Sequence, residues 1–116
     1  MPLMMLHTQA KVPDDKVAEL LKECSKKLAA LTGKPETYVM TAFERPAAMT
    51  MGGSDEPACF VDVRGVGKMT GQQAASMSKA LCELLGQGLG IGGRRIYLNF
   101  TGVEGAMWGW DGGTFG

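Results

Sequence analysis

The 116-residue sequence predicts an α+β fold built from two successive β-α-β units. Three observations carry that prediction. Two stretches have helical apolar spacing, each is flanked by short apolar runs, and glycine or proline stops stand at the junctions. The pseudo-repeats fall at about 1–55 and 56–116 of a single domain, a length that buries ~65% of the unfolded surface.

The first strand is Leu3-Met4-Met5-Leu6, apolar at every position. A helix follows over 13–31, because Val17, Leu20, Leu21, Cys24, Leu28 and Leu31 recur on one face. Pro13 suits its first turn, and Asp14 and Asp15 complement its positive end. Gly33 closes it and Pro35 blocks continuation. A strand over 38–43 completes the first unit, with Gly52, Gly53 and Pro57 marking a long turn after it.

The second unit opens with a strand over 58–65. Thr70, with Gln73 three residues on, is a capping-box signature. Ala74, Met77, Leu81, Leu84 and Leu85 form the apolar face of the helix it starts, and Gly86, Gly88 and Gly90 weaken and end it. A strand over 95–100 closes the unit, with Tyr97 as the counterpart of Tyr38. Parallel strands joined by a crossover helix are the natural solution for each unit. The expected whole is one four-stranded mixed sheet with both helices on one face. Its strands are apolar at most positions, so the uncovered face needs a partner, and another copy of the chain is the simplest one. The tail 103–116 carries Val103, Met107, Trp108, Trp110 and Phe115, which predicts that it folds over a pocket or joins a neighbour.

Composition excludes several classes. Twelve basic residues balance twelve acidic ones, so there is no electrostatic footprint for nucleic acid or an anionic membrane surface. No apolar run reaches membrane-span length and no signal peptide is visible, which points to synthesis in the cytoplasm. Cys24, Cys59 and Cys82 are odd in number and lie in helix and strand patterns, so they read as reduced core residues.

The candidate chemistry begins at Pro2. Removal of Met1 leaves its nitrogen as a free secondary amine, and burial or a nearby cation lowers the pKa of such an amine towards neutrality. Lys34 and Arg64 sit at helix and strand ends, where either cation can reach a substrate carboxylate. Asn99 stands in an otherwise apolar strand, where a buried amide needs partners, its own scaffold or a substrate oxygen. Trp110 and Phe115 suit the wall of an aromatic pocket or a packed core. The glycine run Gly88-Leu89-Gly90-Ile91-Gly92-Gly93 has a helix before it and a strand after it, the reverse of a dinucleotide site, and reads as a helix stop. His7 has no metal-spaced partners, so no metal and no cofactor are expected.

The combination of these segments resembles the macrophage migration inhibitory factor family of the tautomerase superfamily, over essentially the whole chain. The resemblance rests on Met1-Pro2, Thr32-Gly33-Lys34-Pro35 with Tyr38, Gly52-Gly53-Ser54 with Glu56-Pro57, and Gly65-Val66-Gly67-Lys68. It continues through Arg95-Ile96-Tyr97-Leu98-Asn99-Phe100 and Gly109-Trp110 with Thr114-Phe115. It implies a homotrimer with active sites at subunit interfaces, and Pro2 as catalytic base for keto–enol tautomerisation of phenylpyruvate-like acids. It also implies that Lys34 and the Val66 backbone bind the carboxylate, that Tyr38, Trp110 and Phe115 line the pocket, and that Tyr97 and Asn99 come from the neighbouring subunit. Arg64 replaces a family histidine and adds a cation at the mouth. The Met107-Trp108 stretch replaces a small valine, which makes dopachrome a poorer fit than phenylpyruvate. The family's Cys-x-x-Cys motif is absent at Ala58-Cys59-Phe60-Val61, so thiol–disulfide exchange is not implied. The alternative implied by the same resemblance is a leaderless secreted signalling ligand that binds a protein receptor.

Overall fold

A computed structural model describes residues 2–116; Met1, on whose removal the Pro2 reading depends, lies outside the described residues. Strand β1 (Leu3–Thr8) runs parallel to β2 (Met40–Glu44) and antiparallel to β3 (Cys59–Val66), and β3 runs parallel to β4 (Ile96–Val103). The sheet order is therefore β2-β1-β3-β4. Helices α1 (Asp14–Thr32) and α2 (Gly71–Leu89) supply the two crossovers. Period-two alternation turns Met4, Leu6, Val61 and Val63 inward, where they share one core with Leu20, Cys24, Leu28, Met77, Leu81 and Leu85. Both helices thus cover the same face, as expected.

The helices meet closely because Gly88 has no side chain. A Cβ at that position would lie 2.6 Å from Cδ1 of Leu20. The Thr70–Gln73 capping box is formed in both directions, at 3.0 and 3.1 Å. Pro13, expected inside the first helix, stands just outside it with extended backbone (ψ 149°), so α1 starts at Asp14.

Two further differences matter for the site. Tyr38 does not begin the second strand; it closes a 3-10 turn, Glu36–Tyr38, and β2 starts at Met40. The Tyr38 N–H donates to the Pro35 carbonyl at 3.1 Å, and that of Val39 to Glu36 at 3.0 Å, which tightens the chain before it joins the sheet. The repeat itself follows geometry rather than residue identity. The helices start at 14 and 71, the left-handed glycine caps stand at 33 and 90, and the following turns start at 36 and 93, each 57 residues apart. The strand pairs Leu3–Met40 and Phe60–Tyr97 obey the same spacing. The counterpart of Tyr97 is therefore Met40, and that of Tyr38 is Arg95.

The tail folds back on its own chain. After a 3-10 turn at Gly105–Met107, strands β5 (Gly109–Trp110) and β6 (Gly113–Thr114) form a hairpin through Asp111 and Gly112, both at positive φ. The Phe115 N–H donates to the carbonyls of Gly105 and Trp108, both at 3.1 Å, which fixes its ring over the start of β1 and β2.

Candidate active site around Pro2 and Lys34

Pro2 enters the sheet one step before Leu3, and its carbonyl accepts from the Met40 N–H at 3.0 Å. It is fully buried, and it lies on the boundary between two cavities. The first is lined by Pro2, Lys34, Gly65, Val66 and Lys68, with no aspartate or glutamate in its wall. The second is lined by Pro2, Tyr38, Met40, Trp108, Trp110 and Phe115. A charged chamber and an aromatic chamber thus share Pro2 as their common wall.

Lys34 is placed by the end of α1. Gly33 caps the helix with φ 69°, and its N–H donates to the Ala29 carbonyl at 2.9 Å, turning the chain so that the lysine points back across β3. The ammonium donates to the Val66 carbonyl at 2.5 Å and makes no ion pair among the described residues. Two of its three N–H groups remain for a ligand. Burial lowers its pKa from the ordinary lysine value, because a desolvated ammonium is disfavoured. The turn carrying Val66 is itself pinned: the Gly67 N–H donates to Val103 at 2.8 Å, and Gly102 lets the Gly67 carbonyl lie against β4.

The aromatic chamber is a three-ring box. Trp110 and Phe115 stack at 5.7 Å between centroids, and Tyr38 meets each of them edge-on at 5.6 and 6.1 Å. These are favoured offset and edge geometries. Tyr38 takes part because the 3-10 turn, not a strand, presents it.

Other sequence-predicted residues stand elsewhere. Arg64 forks onto one carboxylate oxygen of Asp62 at 2.9 and 3.1 Å, while the other oxygen of Asp62 is buried with no hydrogen-bond partner among the described residues. Arg64 borders the charged chamber, but its side chain belongs to this pair. Asn99, expected to be a buried amide, is exposed on edge strand β4 and donates to the Thr101 hydroxyl at 3.2 Å. Tyr97 is 65% exposed and pairs in register with Phe60, ~16 Å along β3 from the Pro2 level. One chain therefore brings together Pro2, Lys34, Val66, Tyr38, Trp110 and Phe115, and leaves Tyr97 and Asn99 on its outer edge.

The remaining candidates are structural. His7 stacks on Phe60 at 5.8 Å. Cys24 and Cys59 are free and buried, and burial pushes both thiols up to about 12. No cluster of three metal-ligating side chains occurs among the described residues, and no described helix is long and apolar enough to cross a membrane. Sequence reasoning gave no role to Gly65, Met40 or Asp62. Period-two alternation from Val61 and Val63 would have placed Gly65 on the inward face.

Two βαβ units in one mixed sheet, with a proline at the chain start between a lysine and an aromatic box, define a tautomerase-superfamily domain. Within that superfamily the chain belongs to the macrophage migration inhibitory factor family, whose model matches residues 1–116. It is 38% identical over 116 residues to the macrophage migration inhibitory factor of Meriones unguiculatus, covering 99% of both chains. To the homologue from Trichuris trichiura it is 37% identical, over 99% of this chain and 100% of that one. The crystal structure of the homologue from Prochlorococcus marinus superposes with a TM-score of 0.91 at 40% identity, covering 98% and 99% of the two chains.

Proposed function

We propose that the protein is a cofactor-independent keto–enol tautomerase of phenylpyruvate-like 2-oxo acids, with the Pro2 amine, freed by removal of Met1, as general base. The observation that carries this reading is the position of Pro2 between a chamber holding an ammonium and a chamber walled by three aromatic rings. An aryl 2-oxo acid has the same polarity, with a carboxylate at one end, an aromatic ring at the other and the acidic carbon between them.

In the proposed reaction Lys34 and the Val66 backbone hold the carboxylate, and Tyr38, Trp110 and Phe115 hold the ring. The Pro2 nitrogen takes a proton from carbon 3 as electron density moves onto the 2-oxo oxygen, and that oxygen then gains a proton to give the enol. The reverse sequence returns the ketone. Full burial of Pro2 disfavours its protonated form, which suits a base working near neutral pH. Tyr97 and Asn99, exposed on β4, are supplied by the neighbouring chain of a homotrimer in this reading, and Arg64 stands at the mouth.

Intact mass and phenylpyruvate turnover, measured on one preparation, test the proposal. Chains lacking Met1 should turn over substrate, and chains retaining it should be silent, because an acylated proline nitrogen has no basicity. Full turnover by Met1-bearing chains would remove Pro2 from the mechanism. Processed chains without turnover would favour the receptor-ligand alternative.

A further inference from the structure

We propose that Gly65 determines substrate specificity at this site: its missing side chain leaves a methyl-sized recess between Pro2 and Lys34 that admits 2-oxo acids substituted on carbon 3. This rests on the tautomerase reading and extends it to a substrate class. The starting observation is that Gly65 has no structural need to be glycine. Its φ lies outside the left-handed range, unlike Gly33, Gly52, Gly53, Gly67, Gly90 and Gly112. Among the described residues, a Cβ built there meets only the Lys34 Nζ at 3.7 Å and the Pro2 Cα at 4.0 Å, both ordinary van der Waals distances. Gly102 is the contrast, since a Cβ there would lie 2.2 Å from the Gly67 carbonyl oxygen. Glycine inside a strand costs backbone entropy on folding, so Gly65 carries a cost with no packing reason behind it.

The recess also lies where the reaction takes place. Lys34 and Pro2 both come within 4.0 Å of the one point a Gly65 Cβ would occupy. A substrate whose carboxylate meets Lys34 and whose carbon 3 meets the Pro2 nitrogen must pass over that point. The pseudo-symmetric position, at the other end of the β1–β3 pair, shows the same place filled. Fifty-seven residues before Gly65 stands Thr8, opposite Cys59 as Gly65 is opposite Pro2. Thr8 is fully buried and donates to the Ala58 carbonyl at 2.7 Å. The backbone therefore accepts a side chain at this position, and the end of the strand pair beside the ammonium leaves it out.

The test compares phenylpyruvate with its 3-methyl homologue, racemic 2-oxo-3-phenylbutanoate, on the processed protein and its Gly65→Ala variant. Wild type should accept both, and Gly65→Ala should raise the ratio of kcat/KM for parent over methylated substrate by about tenfold or more, mainly through KM, as for one misplaced methyl in a pocket. An unchanged ratio in Gly65→Ala, or wild type that already rejects the methylated acid to that extent, overturns the inference. If neither acid is turned over, the tautomerase reading fails, and the same ratio is then read as Kd values from quenching of Trp108 and Trp110 fluorescence. An unchanged Kd ratio overturns the recess independently. Thermal melting provides the folding control: Gly65→Ala should melt at or above wild type and Gly102→Ala below it.

Discussion

Residues 2–44 and 59–101 follow one course 57 positions apart, but Pro2, Lys34 and Tyr38 stand in the first copy and their counterparts in the second carry no proposed role. Pro2 corresponds to Cys59, Lys34 to Ile91, and the Gly65 recess to the Thr8 side chain. At the equivalent end of the sheet those places hold a buried thiol pushed up to about 12, a core isoleucine and a hydrogen-bonded threonine. The shared elements are the ones that packing requires, namely apolar helix faces, left-handed glycine caps and inward strand positions. The elements that differ are those that packing does not need. The end of the sheet around Cys59 thus displays the site closed, and the end around Pro2 shows what must be taken out of a well-packed fold to open it.

The largest effect should separate the equivalent positions Pro2 and Cys59. Pro2→Gly should lower phenylpyruvate turnover by about 100-fold or more, the usual worth of a general base. Cys59→Ala should leave kcat/KM within about twofold, because its inert thiol touches no proposed reacting atom. Equal losses would mean that the base lies elsewhere. The packing half of the comparison predicts sameness instead. Leu28 and Leu85, equivalent and fully buried, should each cost ~2–5 kcal/mol as alanine in urea denaturation. A large disparity would show that one copy holds the fold and the other merely follows it.

Lys34 and Ile91 come next. Lys34→Gln should raise KM for phenylpyruvate about tenfold to 100-fold with a smaller change in kcat, the loss of a charged hydrogen bond worth ~1.5–3 kcal/mol. Ile91→Val should cost ~1 kcal/mol of stability and leave KM in place. The pH profile adds a sign. Burial lowers the Lys34 pKa, so the ammonium loses its charge at lower pH than an ordinary lysine. KM should therefore begin to rise with pH before the usual lysine range is reached, and a flat KM through that range would detach Lys34 from the carboxylate.

Much of the packing half was legible in the sequence. The spacing from Val17 to Leu31 named the face of α1, Thr70 and Gln73 named the start of α2, and the helix-before-strand order explained the glycine run. The site was legible where chemistry is written in residue type, at Pro2 and Lys34. It was hidden where it depends on three-dimensional register. Matching Tyr38 to Tyr97 by identity misplaced Tyr38, because the turn after Pro35 holds it and β2 begins only at Met40, whereas Tyr97 stands in β4 as expected. Arg64 reads as a free cation until Asp62, two residues away on the same strand face, is seen to hold it. Nothing in the sequence separates a glycine that must be one, Gly102, from a glycine that leaves room, Gly65.

The smallest effect concerns the two helix starts, where the copies differ without any bearing on the site. Pro13 precedes α1 and makes no side-chain cap, leaving the first N–H groups of that helix to solvent and to Asp14 and Asp15. Thr70 caps α2 reciprocally with Gln73. Thr70→Ala should thus cost ~1 kcal/mol, and Pro13→Ala only a few tenths, measured by the same denaturation. The Thr70 loss matters beyond its size, because α2 contains Gly71, Gly86 and Gly88 and has the weaker intrinsic helix propensity. If both substitutions cost the same, the cap is redundant and core packing through Met77, Leu81 and Leu85 holds α2 without it. If Thr70→Ala also raises KM, the start of α2 supports the Val66–Lys68 turn, since Gln73 and Met69 border the same chamber as Lys34.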